Sequence, residues 1–138
     1  MGNKCSSSEF DLTDENLYAA EAEVLKFSGL PQNQIELKNV KVGEFDGKDV
    51  CMRTIICGDQ DPTKPVLVLC HGYGGAGALF YRVMKKMAEK FTFITFDVIG
   101  MGGSSRPRDF DPSKISPQAM VDYFVEYLEE WRKAMNLD

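Results

Sequence analysis

Residues Pro65-Val66-Leu67-Val68-Leu69-Cys70-His71-Gly72-Tyr73-Gly74-Gly75-Ala76-Gly77 pass from an unbroken apolar run into a glycine-rich turn. An apolar run of this kind, without alternation, is the pattern of a strand buried on both faces. After the turn, Phe80, Val83, Met84 and Met87 recur at helical spacing, with Arg82, Lys85 and Lys86 between them. Phe91 to Phe96 is a second apolar strand, rich in aromatic and β-branched residues, and it ends at Asp97. Strand, turn, helix, strand is the repeating unit of α/β architecture.

Upstream of this unit, Thr13 to Phe27 reads as a helix with Leu17, Ala20, Val24 and Phe27 on one side. Gly29 and Pro31 stop it. Ile35 to Val42 and Val50 to Cys57 read as two strands joined around the turn dipeptide Asp46-Gly47, a hairpin. Gly58 to Lys64 is a loop. Downstream, Ile99 to Asp111 is a second loop rich in glycine and serine. Ser116 caps a last helix with Pro117 at its first position. Val121, Phe124, Val125 and Leu128 form its expected buried stripe, with Trp131 at the edge. The expected fold is therefore α/β: an antiparallel hairpin plus parallel strands with flanking helices.

The 138 residues are 43% apolar and 27% charged, with a net charge of −5. That is the size and composition of one folded unit. The acidic balance argues against a nucleic-acid partner. No apolar run approaches the roughly 20 residues of a membrane span, and the N-terminus lacks the basic-then-apolar pattern of a secretory signal. The four cysteines, Cys5, Cys51, Cys57 and Cys70, form no C-x-x-C pair, and there is one histidine, so no metal site is expected. Buried, reduced thiols are the expectation, with Cys51 and Cys57 on the same strand face.

The chain opens Met1-Gly2-Asn3-Lys4-Cys5-Ser6, which fits N-myristoylation of Gly2, with Cys5 placed for a palmitoyl group. A single myristoyl chain binds membranes only marginally, at roughly 10⁴ M⁻¹, so stable anchoring needs a second signal. The first thirty residues hold six acids and two bases and no polybasic patch, which leaves Cys5 as the second anchor.

The glycine turn fits two chemistries. Gly72, Gly74 and Gly77 match G-x-G-x-x-G, and Asp97 stands where an acid would hold the ribose hydroxyls of a dinucleotide. Alternatively, His71-Gly72 at the end of a buried strand opens an oxyanion turn, whose backbone N–H groups face the oxygen that turns negative in acyl transfer. The segment Asp97-Val98-Ile99-Gly100-Met101-Gly102-Gly103-Ser104-Ser105-Arg106-Pro107 has the form D-x-x-G-x-G-x-S-x-R-P. A dinucleotide fold has no use for a second such loop, and its fingerprint usually follows the first strand rather than a hairpin. The oxyanion reading is favoured.

With H-G-x-G-G and D-x-x-G-x-G-x-S in this order and spacing, the sequence resembles the α/β-hydrolase superfamily. It is most similar to the intracellular, lipid-handling abhydrolase group of lysophospholipases and lysophospholipid acyltransferase-like proteins. The resemblance runs from about Glu21 to the end, through Glu21 to Lys26, His71 to Gly75, Asp97 to Arg108 and Glu129 to Asp138. It implies an oxyanion turn over His71, Gly72, Tyr73, Gly74 and Gly75, with the Tyr73 N–H as one donor. It also implies a supporting loop of Asp97, Gly100, Gly102 and Ser104. His71 is then an orienting residue rather than a base, and Ser104 and Ser105 are turn hydroxyls rather than nucleophiles. A Cys70–His71 pair is disfavoured, because adjacent strand residues point to opposite faces.

The family places its nucleophile on a G-x-S-x-G elbow after the next strand. These 138 residues contain no G-x-S-x-G, and their one histidine is already in the turn. The expected organisation is an acylated or disordered tail over residues 1–12 and a partial hydrolase domain over 13–138 that ends before the elbow. Nucleophile, acid and base would lie elsewhere. The expected function is the N-terminal part of a serine hydrolase or acyltransferase acting on lipid or carboxylic esters at a cytosolic membrane face, without a cofactor. The alternative is a non-catalytic interaction protein, since the strand Val66 to Cys70 would lack a neighbour on one side and invite a protein partner.

Overall fold

The computed structural model describes residues 15–59, 61–108, 111 and 113–137. Gly2, Cys5 and the 1–12 tail lie outside the described residues. Helix α1 (Glu15–Leu25) leads through a 3₁₀ turn (Lys26–Ser28) to the hairpin strands β1 (Ile35–Phe45) and β2 (Lys48–Cys57). Strand β3 (Val66–Cys70), a 3₁₀ turn (Gly77–Phe80), helix α2 (Tyr81–Ala88), strand β4 (Thr92–Phe96) and helix α3 (Pro117–Ala134) follow. The sheet order is β1-β2-β4-β3. β1 and β4 both pair antiparallel with β2, whereas β3 pairs parallel with β4.

The hairpin closes at Asp46 and Gly47, which have φ of 51° and 71°. Two consecutive left-handed residues make the tight turn whose twist matches that of the flanking strands. A bulge between Lys41 and Gly43 then shifts the register by one residue.

Strand β2 divides its side chains between two helical layers, as the two-residue period requires. Val50, Met52 and Ile56 join β4 residues Ile94 and Phe96 beneath α3. Ile55 and Cys57 join Phe93 beneath α1 and α2, where Leu25, Met84 and Ala88 pack. Cys51 and Cys57 thus share a face and are both buried.

Four sequence expectations need correction. Helix α1 ends at Leu25 rather than Phe27; the chain tightens into a 3₁₀ turn at Lys26, which takes Phe27 off the apolar side and leaves it 76% exposed. Leu25 is buried instead. In α3, Val121, Val125 and Leu128 are exposed, and Trp131, expected at the edge, is 2% exposed at the core centre. The helix lies across the β1–β2 hairpin, so the face it buries is the aromatic one, Phe124, Tyr127 and Trp131. Aromatic rings have the most area to remove from water. In β3, Val66 and Val68 are exposed although both faces were expected to be covered. Leu67 and Leu69 pack on the α2 side, but α3 sits over the hairpin and leaves the other face bare. Cys70 lies on that bare face and is exposed rather than buried.

Trp131 also carries a polar link, because its indole N–H donates to Thr54 Oγ1 at 2.9 Å. Its ring packs on Phe96 at 4.4 Å between centroids. Trp131→Phe should keep the ring contact and lose the hydrogen bond, at about 1–2 kcal/mol in a urea midpoint measurement. A loss below about 0.5 kcal/mol would show that the indole N–H contributes nothing net.

Candidate functional site

β3 and β4 are parallel, so both chain exits lie at one end of the sheet. The two glycine loops, 71–77 and 97–105, are neighbours for that reason alone. Such a strand end is where α/β folds place their ligands.

The first loop turns tightly over Gly72 to Gly75, with the Gly75 N–H donating to the Gly72 carbonyl at 3.0 Å. Gly74, third in the turn, has φ of +67°, a conformation that favours glycine there. A Cβ on Gly75 would meet the Gly72 carbonyl at 3.0 Å and the His71 ring at 3.1 Å, so that position has no room for a side chain. Tyr73 stands at the apex, fully exposed. Among the described residues its N–H has no acceptor.

His71 is buried and fixed at both ring nitrogens. Nε2 lies 2.9 Å from the Val98 N–H, and Nδ1 lies 2.8 Å from the Gly72 carbonyl. A backbone N–H can only donate, so Nε2 is the acceptor and carries no proton. Nδ1 then bears the proton and donates to Gly72. The imidazole is neutral, and its basic lone pair is already engaged. The geometry makes His71 a clamp between the two loops, with no free nitrogen to act as a base.

Asp97 is the second clamp. It is 3% exposed. Oδ1 accepts the Gly77 N–H at 2.6 Å and Oδ2 accepts the Gly103 N–H at 2.7 Å. Gly102, with φ of +49°, lies so close that a Cβ there would fall 2.0 Å from Oδ2. Both carboxylate oxygens are therefore spent on the protein's own backbone. This overturns the dinucleotide reading of Gly72, Gly74, Gly77 and Asp97, because that acid must reach out to a ribose.

Ser104 and Ser105 serve the sheet. Where β4 ends, β2 still has amides to satisfy. Ser104 Oγ accepts the Arg53 N–H at 2.9 Å and donates to the Asp97 carbonyl at 2.6 Å, while Ser105 Oγ accepts the Cys51 N–H at 2.9 Å. Gly100 closes the loop by donating its N–H to the Ser105 carbonyl at 2.8 Å. Both hydroxyls thus reach strand backbone about fifty residues away, and Ser104 also closes its own loop onto Asp97.

Sequence reasoning missed the support beneath this loop. Arg53 projects from β2 towards α1, where its guanidinium binds the Glu21 carboxylate through Nε (3.0 Å to Oε2) and a terminal nitrogen. Its other terminal nitrogen donates to Asn39 Oδ1 at 3.2 Å. The Tyr18 ring lies 4.4 Å from the guanidinium carbon. The Arg53 and Glu21 side chains are each 9% exposed. A lone arginine within the apolar stretch Val50 to Cys57 was the available signal, since a buried charge requires a partner.

No thiol is activated as a nucleophile among the described residues. Burial pushes Cys57 up to about 12 and raises Cys51, and partial loss of hydration beside the groove raises the exposed Cys70, above the usual thiol value. No group of three or more metal-binding side chains is present among the described residues, nor is any helix there long and apolar enough to cross a membrane. Between β3 and α3 an apolar groove of about 150 Å³ remains open, lined by Met52, Cys70, Phe96, Ile99, Phe124 and Leu128 among others.

The family described as the alpha/beta hydrolase fold matches residues 65–134. A 1-acylglycerol-3-phosphate O-acyltransferase of Arabidopsis thaliana is 42% identical over 79 residues, which are 57% of this chain and 18% of the relative. The abhydrolase domain-containing protein abhd-5.2 of Caenorhabditis elegans is 30% identical over 131 residues, covering 90% of this chain and 27% of the relative. The chain thus spans about a fifth to a quarter of the length of these relatives. The crystal structure of the carboxylesterase CesB of Bacillus subtilis superposes with a TM-score of 0.59 at 19% identity, over 87% of this chain and 36% of that one. The paired glycine loops at the strand ends, the sheet order and these matches agree: the chain belongs to the α/β-hydrolase fold family, among relatives that handle lipids.

Proposed function

We propose that this chain is the N-terminal part of a serine α/β-hydrolase or acyltransferase acting on lipid esters, and that it supplies one donor of the oxyanion hole. The observation that carries this reading is the Tyr73 N–H, which has no acceptor among the described residues and sits at the apex of a turn held by His71 and Asp97. A preorganised donor of this kind stabilises charge as it develops, without reorganisation during the reaction. The Arabidopsis relative, named a 1-acylglycerol-3-phosphate O-acyltransferase, supports lipid esters as the substrate class. Nucleophile, acid and base come from outside residues 1–138. Acyl groups on Gly2 and Cys5 hold the protein at the cytosolic face of a membrane.

Tyr73→Pro tests the donor directly. Proline suits the second position of such a turn, so the substitution removes the N–H while keeping the shape. In the ester-cleaving protein that carries the nucleophile, kcat should fall about 10²–10³-fold with KM little changed. An unaltered kcat would refute the donor role. The 138-residue chain alone should show no turnover of activated esters, and ordinary esterase rates from it would also refute the assignment.

The open β3 edge favours a second reading, a non-catalytic interaction protein whose partner strand covers Val66 to Cys70. Purification as a stable monomer would count against it.

A further inference from the structure

The outward face of α2 concentrates positive charge beside exposed apolar side chains. Residues Tyr81 to Lys90 carry four bases, Arg82, Lys85, Lys86 and Lys90, against one acid, Glu89, on a chain of net charge −5. The rest of the chain is therefore more acidic still. Arg82 and Lys86, four residues apart, lie along one side of α2, and Lys90 follows just past its C-terminal end. Met84 and Ala88, on the opposite side, are buried against the sheet. Among the described residues, lysines elsewhere find carboxylates with the exception of Lys48: Lys41 with Asp49, Lys64 with Asp59, Lys114 with Asp111 and Lys133 with Glu130, for example. Among the described residues, none of the four bases on this face has such a partner.

Apolar groups adjoin the bases. Leu79 is 61% exposed and Val83, one turn later, is 37% exposed. The 3₁₀ turn at Lys26–Ser28 packs on α2, Gly29 lies against the Lys85 side chain, and Phe27 within that turn is exposed. A protein with an acidic surface would be met by the charges alone. Bases interleaved with large exposed apolar groups match instead the interface of an anionic bilayer, with phosphate and carboxylate heads above acyl chains.

We propose that this face, Arg82, Lys85, Lys86 and Lys90 with Phe27, Leu79 and Val83, is a docking surface for anionic membrane lipid, separate from the acyl groups of the tail. It depends neither on those groups nor on the catalytic reading. The chain's overall negative charge would repel an anionic surface, so any preference for one must come from a local patch.

The test uses the 138-residue chain produced in bacteria without acyltransferases, so that no lipid anchor contributes. It is sedimented with vesicles of phosphatidylcholine alone or with about a third phosphatidylserine. Circular dichroism and urea unfolding confirm that each variant folds as the parent does. Each base near an anionic surface changes partitioning by about fivefold. The parent should therefore bind the mixed vesicles at least about tenfold better than the neutral ones, and 0.5 M salt should remove most of the difference. Lys86→Glu with Lys90→Glu should abolish the preference. Phe27→Ser with Leu79→Ser should weaken binding severalfold and leave its salt dependence intact. Lys38→Glu with Lys48→Glu, on the hairpin, should change little. Equal binding to both vesicles, or an equal loss from the hairpin variant, would overturn the proposal. So would binding that survives reversal at Lys86 and Lys90.

Discussion

Asp97→Ala is expected to cost about 3–6 kcal/mol, because two bonds to a charged acceptor, each worth about 1.5–3 kcal/mol, are lost at once. The Gly77 and Gly103 N–H groups would be left without their acceptor at a buried position. A domain of this size holds only about 5–15 kcal/mol in total, so the variant should be largely unfolded or close to it. Asp97→Asn keeps the shape but has one accepting oxygen, and its amide nitrogen must face a second donor. About half the loss is expected from it, with the unpaired loop identified by faster amide exchange at either Gly77 or Gly103. Urea midpoints measure the first quantity and hydrogen exchange the second. A stability change below about 1 kcal/mol for Asp97→Ala would show that other groups hold the loops.

Removing either partner of the Arg53–Glu21 pair should cost about 3–5 kcal/mol, the range for stranding a buried charge. Glu21→Met leaves the guanidinium with Asn39 and the Tyr18 ring only. Arg53→Met leaves a carboxylate with no counter-ion in the same place. The double variant, with methionine at both positions, should recover most of that loss, because two apolar side chains replace two charges that need not then be desolvated. A double-mutant cycle read by urea unfolding gives the coupling directly. Additive single effects would mean that the pair does not interact energetically. Since Arg53 also donates its backbone N–H to Ser104, loosening the pair should raise amide exchange in the 97–105 loop as well.

The strand–turn–helix–strand unit at 65–97 and the hairpin were legible because their signals are local. An apolar run, a turn dipeptide and glycines at a strand end each act through their own backbone. What the sequence left open depends on neighbours. Helix α3 carries two apolar stripes, Val121–Val125–Leu128 and Phe124–Tyr127–Trp131, and periodicity alone ranks them equally. The choice falls to where the helix lies on the sheet, over the hairpin rather than over β3. The same placement explains β3, whose composition suits two covered faces while its surroundings cover one. In the site, the residue types of both loops were read, yet the partners were not. Nothing within residues 97–105 indicates that Asp97 reaches back to Gly77, or that Ser104 and Ser105 satisfy β2. The Arg53–Glu21 pair spans thirty-two residues and was announced only by a charge in an apolar stretch.

The strand order β1-β2-β4-β3 also fixes a sequence of events during synthesis. The hairpin needs only its own residues and can form as soon as they leave the ribosome. β3 emerges next, but its neighbour in the sheet among the described residues is β4, which comes later in the chain. At translation speeds of about 5–20 residues per second, Cys70 waits roughly one to five seconds for Phe96. Throughout that interval β2, paired with β1 on one side, lacks its second neighbour, so an unpaired apolar strand and an open strand edge are present together. Unpaired strand edges invite wrong pairing, so the stretch from Val50 to Cys70 is where a nascent chain of this topology is exposed.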